Sequence, residues 1–250
     1  MRRNLVIGSL IRGREWALPR FLDGIGNLDT TGFDVSTLLV VQGKIPTIVH
    51  DAVKSMPVKK IGIMQLPDPG VHVRTGRPWK FPQYVYMSYL RNILLREAYA
   101  MNASLFSVDS DIVLNTDTLQ VLASAQADVA SALVKNHPHS GIYNFMDAVN
   151  PDQDSPRTYV RDAKNSVEEM SDDVVWWECD MTGACVLIDV GLIDLDVMYR
   201  PHPQGEDCGF ADSYKEICKK LDRGHGVVVN IKHQVAHQYA KDLDMWGVIT

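Results

Sequence analysis

The sequence predicts an α/β domain in which a mostly parallel sheet is covered by helices on both faces. Three observations carry that expectation. Short apolar runs alternate along the chain with segments of helical period, the order that parallel strands joined by crossover helices require. The runs lack polar alternation, as strands buried on two faces do. A length of 250 residues, 46% of them hydrophobic and 22% charged, suits one hydrophobic core, with two small lobes as the fallback.

Taken in order, Asn4 to Leu10 reads as a first strand. A polar turn with Arg12 and Arg14 follows it, then a helix with Trp16, Leu18, Phe21, Leu22 and Ile25 at helical spacing. Ser36 to Val41 is a second strand ended by Gln42 and Gly43, Thr47 to Met56 a short helix, and Lys60 to Leu66 a third strand. Pro67 to Gln83 holds four prolines and the cations Arg74, Arg77 and Lys80, a loop of a length that is usually functional. From Tyr84 to about Ala100 a helix is expected with Val85, Tyr89, Ile93 and Leu94 inward and Arg91 and Asn92 in its middle. Leu105 to Val108 is a buried strand leading into Asp109, Ser110 and Asp111, Thr116 to Gln126 a helix, and Asp128 to Val134 a strand. Asn136 to Met170 is polar and without period and reads as a long excursion over the active face. Val174 to Trp177 and Gly183 to Ile188 are expected strands. Phe210, Tyr214, Ile217, Cys218 and Leu221 mark an amphipathic helix stopping near Gly224, and Val227 to Asn230 is the last buried strand, running into Ile231 to His237.

Composition narrows the function classes. No apolar run approaches the ~18 residues of a membrane span, and Asn4 to Leu10 is too short for a secretory segment, so a cytoplasmic protein is expected. Cys179, Cys185, Cys208 and Cys218 match neither a zinc ribbon nor a redox pair and read as reduced, buried thiols. The net charge of −6 conceals a division: residues 1–100 carry 14 Lys and Arg against 7 acids, and residues 101–250 carry 11 against 24. That polarity excludes a uniformly basic nucleic-acid binder. It suits a front half that meets an anionic ligand and a back half that supplies carboxylates.

Asp-x-Asp occurs four times, at Asp109/Asp111, Asp152/Asp154, Asp194/Asp196 and Asp242/Asp244. Only the first pair follows an uninterrupted apolar strand, which places it at a carboxyl end of the sheet, where open α/β folds bind ligands. An exposed turn is the plainer alternative for the pair. Glu206 and Asp207 stand just before the Phe210 helix, where a carboxylate can simply cap the helix. Gly205 and Gly209 beside them would allow backbone to approach a ligand. Trp176 and Trp177 offer ring faces or alternate burial in a strand.

In these residues the chain resembles the GT-A glycosyltransferases, particularly the family 2-like nucleotide-sugar transferases. Five motifs carry the resemblance in order over residues 4–239: Arg91-Asn92, Leu105 to Asp111, Thr182-Gly183-Ala184, Gly205-Glu206-Asp207, and His237 after the final strand. The resemblance implies a nucleotide-binding half over 1–115 and an acceptor-binding and catalytic half over 116–250. It implies Mn²⁺ or Mg²⁺ at Asp111 and His237, with Asp109 near metal-bound water or the ribose. His233 is the rival imidazole. It further implies a nucleotide-sugar donor, UDP-sugar before GDP-sugar, met by Ser9, Arg12, Gln42, Arg91, Asp109, Ser110 and Gly183. Asp207, with Glu206 beside it, would be the general base of an inverting transfer. Gln42-Gly43 stands where members often carry a base-reading aspartate, so the choice of base stays open. A retaining transferase, a sugar nucleotidyltransferase and a non-catalytic glycan-binding module are the alternatives. The acceptor could be a glycan, protein, small molecule or modified nucleic acid, and the oligomeric state is open.

Overall fold

The computed structural model describes residues 2–55, 60–67, 81–135, 143–149, 158–160, 173, 175–224 and 226–238. Four strands form the first half of the main sheet: β1 (Arg3–Ile11), β2 (Phe33–Gln42), β3 (Lys60–Leu66) and β4 (Ser104–Val108). They lie parallel in the order β3-β2-β1-β4, with β1 between β2 and β4. Helices α1 (Leu18–Gly26), α2 (Thr47–Ser55) and α3 (Phe81–Ala100) connect them. Pro19 stands in the first turn of α1, where its missing N–H costs nothing.

Beyond β4 the chain forms β5 (Ile112–Val113), α4 (Thr118–Ala123) and β6 (Val129–Val134), then β7 (Phe145–Val149) and β8 (Thr158–Val160). The remaining elements are β9 (Trp176–Glu178), β10 (Met181–Thr182), β11 (Cys185–Ile188), α5 (Val190–Ile193), α6 (Glu206–Leu221) and β12 (Val227–His237). β11 is wedged antiparallel between β4 and β6, and β6 pairs in parallel with β12. Antiparallel β9 and β5 take the other edge of β12, near its amino and carboxyl ends respectively. β10, β7 and β8 make a separate three-stranded antiparallel sheet.

The apolar run of β1 is explained by what covers it. Leu5, Ile7 and Ile11 pack with Phe21 and Ile25 of α1, Val49 of α2 and Leu119 of α4. Val6 and Leu10 pack on the opposite face with Leu90 and Leu94 of α3 and Phe210 and Tyr214 of α6. A strand covered on both sides has no solvent-facing positions for polar residues. All four cysteines are buried and unpaired with one another. Among the described residues no helix is long and apolar enough to cross a membrane.

At the rim formed by the amino ends of β6 and β12, α6 is tied down by its Tyr214 hydroxyl. It donates to Asp128 Oδ2 at 2.6 Å and accepts from Gly226 N–H at 2.6 Å, while Arg223 bonds the same carboxylate oxygen. Gly209 lets α6 press against the backbone carbonyl of Arg200, which a Cβ would strike. Its close approach is to this chain's own backbone rather than to a ligand.

Three expectations need correction. The 136–170 stretch, read as an excursion without period, contributes β7 and β8. α3 turns inward on Ser88, Leu90, Arg91, Leu94, Leu95 and Ala98, leaving Val85 41% and Tyr89 53% exposed. Apolar residues stand on several sides of this helix, so period alone does not choose its face; Arg91, with its acidic partners, turns inward too. α4 is shorter than expected and β12 longer, running through an irregularity between Asn230 and Gln234. The cations Arg74, Arg77 and Lys80 of the expected loop lie outside the described residues.

Candidate active site

The carboxyl ends of β1, β2, β4, β6 and β12 share one rim of the sheet. Because β11 runs the other way, its amino end opens at that rim as well, and Asp109 N–H donates to the Ala184 carbonyl at 2.8 Å. The turn after β4 closes when Ile112 N–H donates to the Asp109 carbonyl at 3.0 Å. β5 then pairs with the end of β12, Ile112 opposite His237, and that pairing carries an imidazole across the molecule to the acidic turn.

His237 Nε2 lies 3.3 Å from Asp111 Oδ2, and its Nδ1 lies 3.3 Å from the Lys135 carbonyl. A carbonyl only accepts, so Nδ1 carries a proton and Nε2 faces the carboxylate. Burial opposes the charged imidazole, but Asp111 and the Lys135 carbonyl outweigh it and raise the His237 pKa. Burial likewise opposes the charged Asp111 carboxylate, and the hydrogen bond and charge of His237, with Arg14, bring its pKa below the usual value. Arg14 NH1 bonds the same Oδ2. His233 turns elsewhere, its Nε2 3.0 Å from Thr118 Oγ1.

Asp109 answers to another cation. Arg91, buried in α3, donates from NH2 to Asp109 Oδ1 at 2.5 Å and from NH1 to Ser107 Oγ at 3.0 Å. Its Nε lies 3.8 Å from Glu206 Oε1. Burial works against the Arg91 charge, yet Asp109, Asp207 and Glu206 more than offset it and hold the guanidinium firmly charged. The next residue, Asn92, exchanges two 2.8 Å bonds with the Tyr199 backbone and so fixes the segment leading to α6. The Arg91-Asn92 pair thus serves two sides of one helix.

Glu206 and Asp207 form the first turn of α6, and Gly205, at φ +132°, is the cap residue. Glu206 is buried, and the loss of water pushes its carboxyl pKa up despite Arg91. Asp207 is half-buried against Gly183, where an added Cβ would lie 2.8 Å from Asp207 Cγ. The room left by this glycine is taken by the carboxylate. Gly183 is held from behind by Asn144, whose Nδ2 donates to the Gly183 carbonyl at 2.8 Å while its own carbonyl accepts from Gly183 N–H at 3.2 Å.

Of the other sequence-derived positions, Ser9 is wholly buried inside β1, and no hydrogen-bond partner for its hydroxyl is found among the described residues. Gln42 is buried at the end of β2, with its Oε1 likewise unpartnered there. Arg12 and Ser110 are half-exposed at the rim. Trp176 and Trp177 are half-buried and pack into the core from opposite faces of β9. Sequence reasoning missed Arg14 and Asn144. Arg14 was legible only as part of a polar turn, and Asn144 lay in a stretch without period.

Asp111 and His237 also fit a divalent ion. Two ligands about 2.1 Å from such an ion and at right angles stand about 3.0 Å apart, close to the 3.3 Å between Oδ2 and Nε2. The carbonyl behind Nδ1 supplies the outer contact that orients a ligating imidazole. Among the described residues no three His, Cys, Asp or Glu side chains gather to hold an ion by themselves, so further oxygens would have to come from ligand and water.

No protein-family model matches the sequence, and no curated protein matches it. Solved structures do resemble the fold. Residues 1–349 of S. aureus TarS superpose with a TM-score of 0.52 at 15% identity, covering 93% of this chain and 59% of that one. The same protein in complex with UDP-GlcNAc gives 0.52 at 16%, covering 94% and 57%. A mannosyltransferase from Pyrobaculum calidifontis, in complex with GDP-Man and Mn²⁺, gives 0.52 at 13%, covering 92% and 57%. The chain therefore spans under two thirds of the length of each. With its strand order, its acidic turn after β4 and these likenesses, the chain has the GT-A glycosyltransferase fold.

Proposed function

We propose that this protein is a metal-dependent glycosyltransferase that moves one sugar from a nucleotide-sugar to an acceptor hydroxyl with inversion. The observation that carries the proposal is the meeting of Asp111 and His237 at the carboxyl rim, 3.3 Å apart although 126 residues separate them in sequence. Mn²⁺ or Mg²⁺ would be held by these two side chains, diphosphate oxygens and water, and would neutralise charge on the departing diphosphate. Residues 1–115 supply Gln42, Asp109 and Asp111, and residues 116–250 supply Asp207 and His237, which suits a nucleotide-binding half and a catalytic half.

Asp207 is the proposed base. Its carboxylate takes the proton of the acceptor hydroxyl as that oxygen bonds the anomeric carbon, and the carbon–phosphate oxygen bond breaks with its electron pair leaving on the diphosphate. Glu206 is less suited, being buried behind Arg91. Arg91 keeps Asp109 oriented from beneath. Gln42, at the end of β2 with an Oε1 that finds no partner among the described residues, is the candidate for reading the donor's base. UDP-sugar is the first donor to test and GDP-sugar the second, in line with the ligands bound by the structures the fold resembles.

The test is hydrolysis and transfer from UDP- and GDP-sugars with Mn²⁺, the anomeric configuration of the product read by NMR. Asp111→Ala and Asp207→Asn should each lose at least about a hundredfold in rate. Near-normal transfer by Asp207→Asn, with Asp111→Ala inactive, would remove the base and favour a retaining enzyme. Release of pyrophosphate from a nucleoside triphosphate and a sugar phosphate would favour a nucleotidyltransferase instead.

A further inference from the structure

We propose that Arg14 is a ligand for the donor diphosphate that rests on Asp111 until donor and cation arrive, so that guanidinium and cation compete for one carboxylate oxygen. The inference deepens the metal-site reading above and rests on it. Arg14 NH1 and His237 Nε2 both meet Asp111 Oδ2. One carboxylate oxygen has two lone-pair directions, and these two contacts use both. A cation seated between Oδ2 and Nε2 would replace the His237 contact and share Oδ2 with the Arg14 guanidinium, whose positive charge opposes it until Arg14 moves away.

The backbone is shaped for that contact. Gly13 at φ +57° and Arg14 at φ +48° are two successive left-handed residues in the turn after β1, beyond Arg12. An L residue holds that conformation only when its surroundings fix it, and the Arg14 carbonyl is held by Ala17 N–H at 2.8 Å. The turn brings a side chain that is still 36% exposed onto a carboxylate that is 13% exposed. Such a guanidinium can leave without unpacking a core. A diphosphate gives it a better partner than the carboxylate, with more negative charge and oxygens in a geometry that its planar fork bonds in pairs. Arrival of the donor therefore draws Arg14 away from Asp111 and opens Oδ2 to the cation. By linkage each ligand then strengthens the other.

The experiment titrates the full chain with Mn²⁺, free ion read by electron paramagnetic resonance, with and without UDP or GDP. Wild type is compared with Arg14→Asn, a residue that accepts the left-handed conformation, with Arg14→Lys and with Asp111→Asn, and circular dichroism monitors folding. Without nucleotide, Arg14→Asn should bind Mn²⁺ about tenfold more tightly than wild type, because the competent fraction of sites rises. It should also lose most of the gain in Mn²⁺ affinity that the nucleotide gives wild type. Arg14→Lys, which keeps the charge without the fork, should fall between and serves alone if the asparagine variant does not fold. Unchanged or weaker Mn²⁺ binding by the Arg14 variants, while Asp111→Asn abolishes it, would overturn the role of Arg14 and leave the cation site standing. Unchanged binding by Asp111→Asn would overturn both.

Discussion

His233 and His237 stand four residues apart on β12 and respond to pH in opposite directions. Burial lowers the His233 pKa more than Asp117 raises it. The stability tied to its neutral form is therefore complete above the unfolded value of about 6.5 and is lost as pH falls toward and through the folded value. His237, raised by Asp111 despite burial, contributes stability that is complete below the unfolded value and lost as pH rises through the folded one. His233→Gln should flatten the acid side of the stability profile, read as urea midpoints between about pH 5 and 8; a profile as steep as wild type would show that His233 titrates normally. A second prediction concerns Thr37, buried in β2 with a hydroxyl that finds no partner among the described residues. Thr37→Val should leave stability unchanged or raise it by up to about 1 kcal/mol, since no hydrogen bond is lost and a desolvated oxygen is removed. A loss of more than that in urea denaturation would reveal a bond to the hydroxyl. At this scale Asp109 and Asp111 stand out because they follow an apolar strand, whereas His237 is singled out by the resemblance; the structure brings Asp111 and His237 to 3.3 Å. The Arg14 contact with Asp111 spans 97 residues and leaves no local pattern.

Among elements, α3 and the β10–β11 junction make the sharpest predictions. Leu94 is buried in α3 and Tyr89 is 53% exposed, so Leu94→Ala should cost about 2–5 kcal/mol and Tyr89→Ser within about 0.5 kcal/mol. Equal costs in denaturant unfolding would restore the inward face that periodicity suggested. The helix itself was legible and its orientation was not, because burying Arg91 depends on acids at Asp109 and Glu206 that lie far away in sequence. Gly183→Ala should displace the Asp207 carboxylate, a movable group, rather than backbone. Transfer should fall about a hundredfold with a melting temperature within a few degrees of wild type, and retained turnover at wild-type rate would separate Gly183 from the chemistry. β5 and β10, two residues each, are below what any repeat in the sequence can signal. β7 and β8 belong to a small sheet outside the main one, where no long apolar run is needed.

For the molecule as a whole, the alternation of strand and helix sufficed to foresee a mostly parallel sheet. It could not foresee that β11 enters reversed between β4 and β6, since a buried apolar run reads the same in either direction. That reversal is what brings Gly183 to the rim with Asp109. A ligand that binds the native state alone stabilises all of it. A donor nucleotide-sugar with Mn²⁺ at a hundred times its Kd should therefore add about 2.7 kcal/mol and raise the melting temperature by roughly 5–10 °C. No shift with either UDP- or GDP-sugars would argue against both as donors.

The hydroxyl of Tyr214 gives this architecture a mechanical property. The helix that starts at Glu206 runs 16 residues, about 24 Å, and its moorings at Asp128 and Gly226 lie at the amino-end rim of β6 and β12, opposite the rim that holds the Asp109–Asp111 turn. Tyr214 holds it from its middle, about two turns along from Asp207. Slack at this mooring would shift Asp207, so the placing of the proposed base depends in part on residues that no substrate would touch.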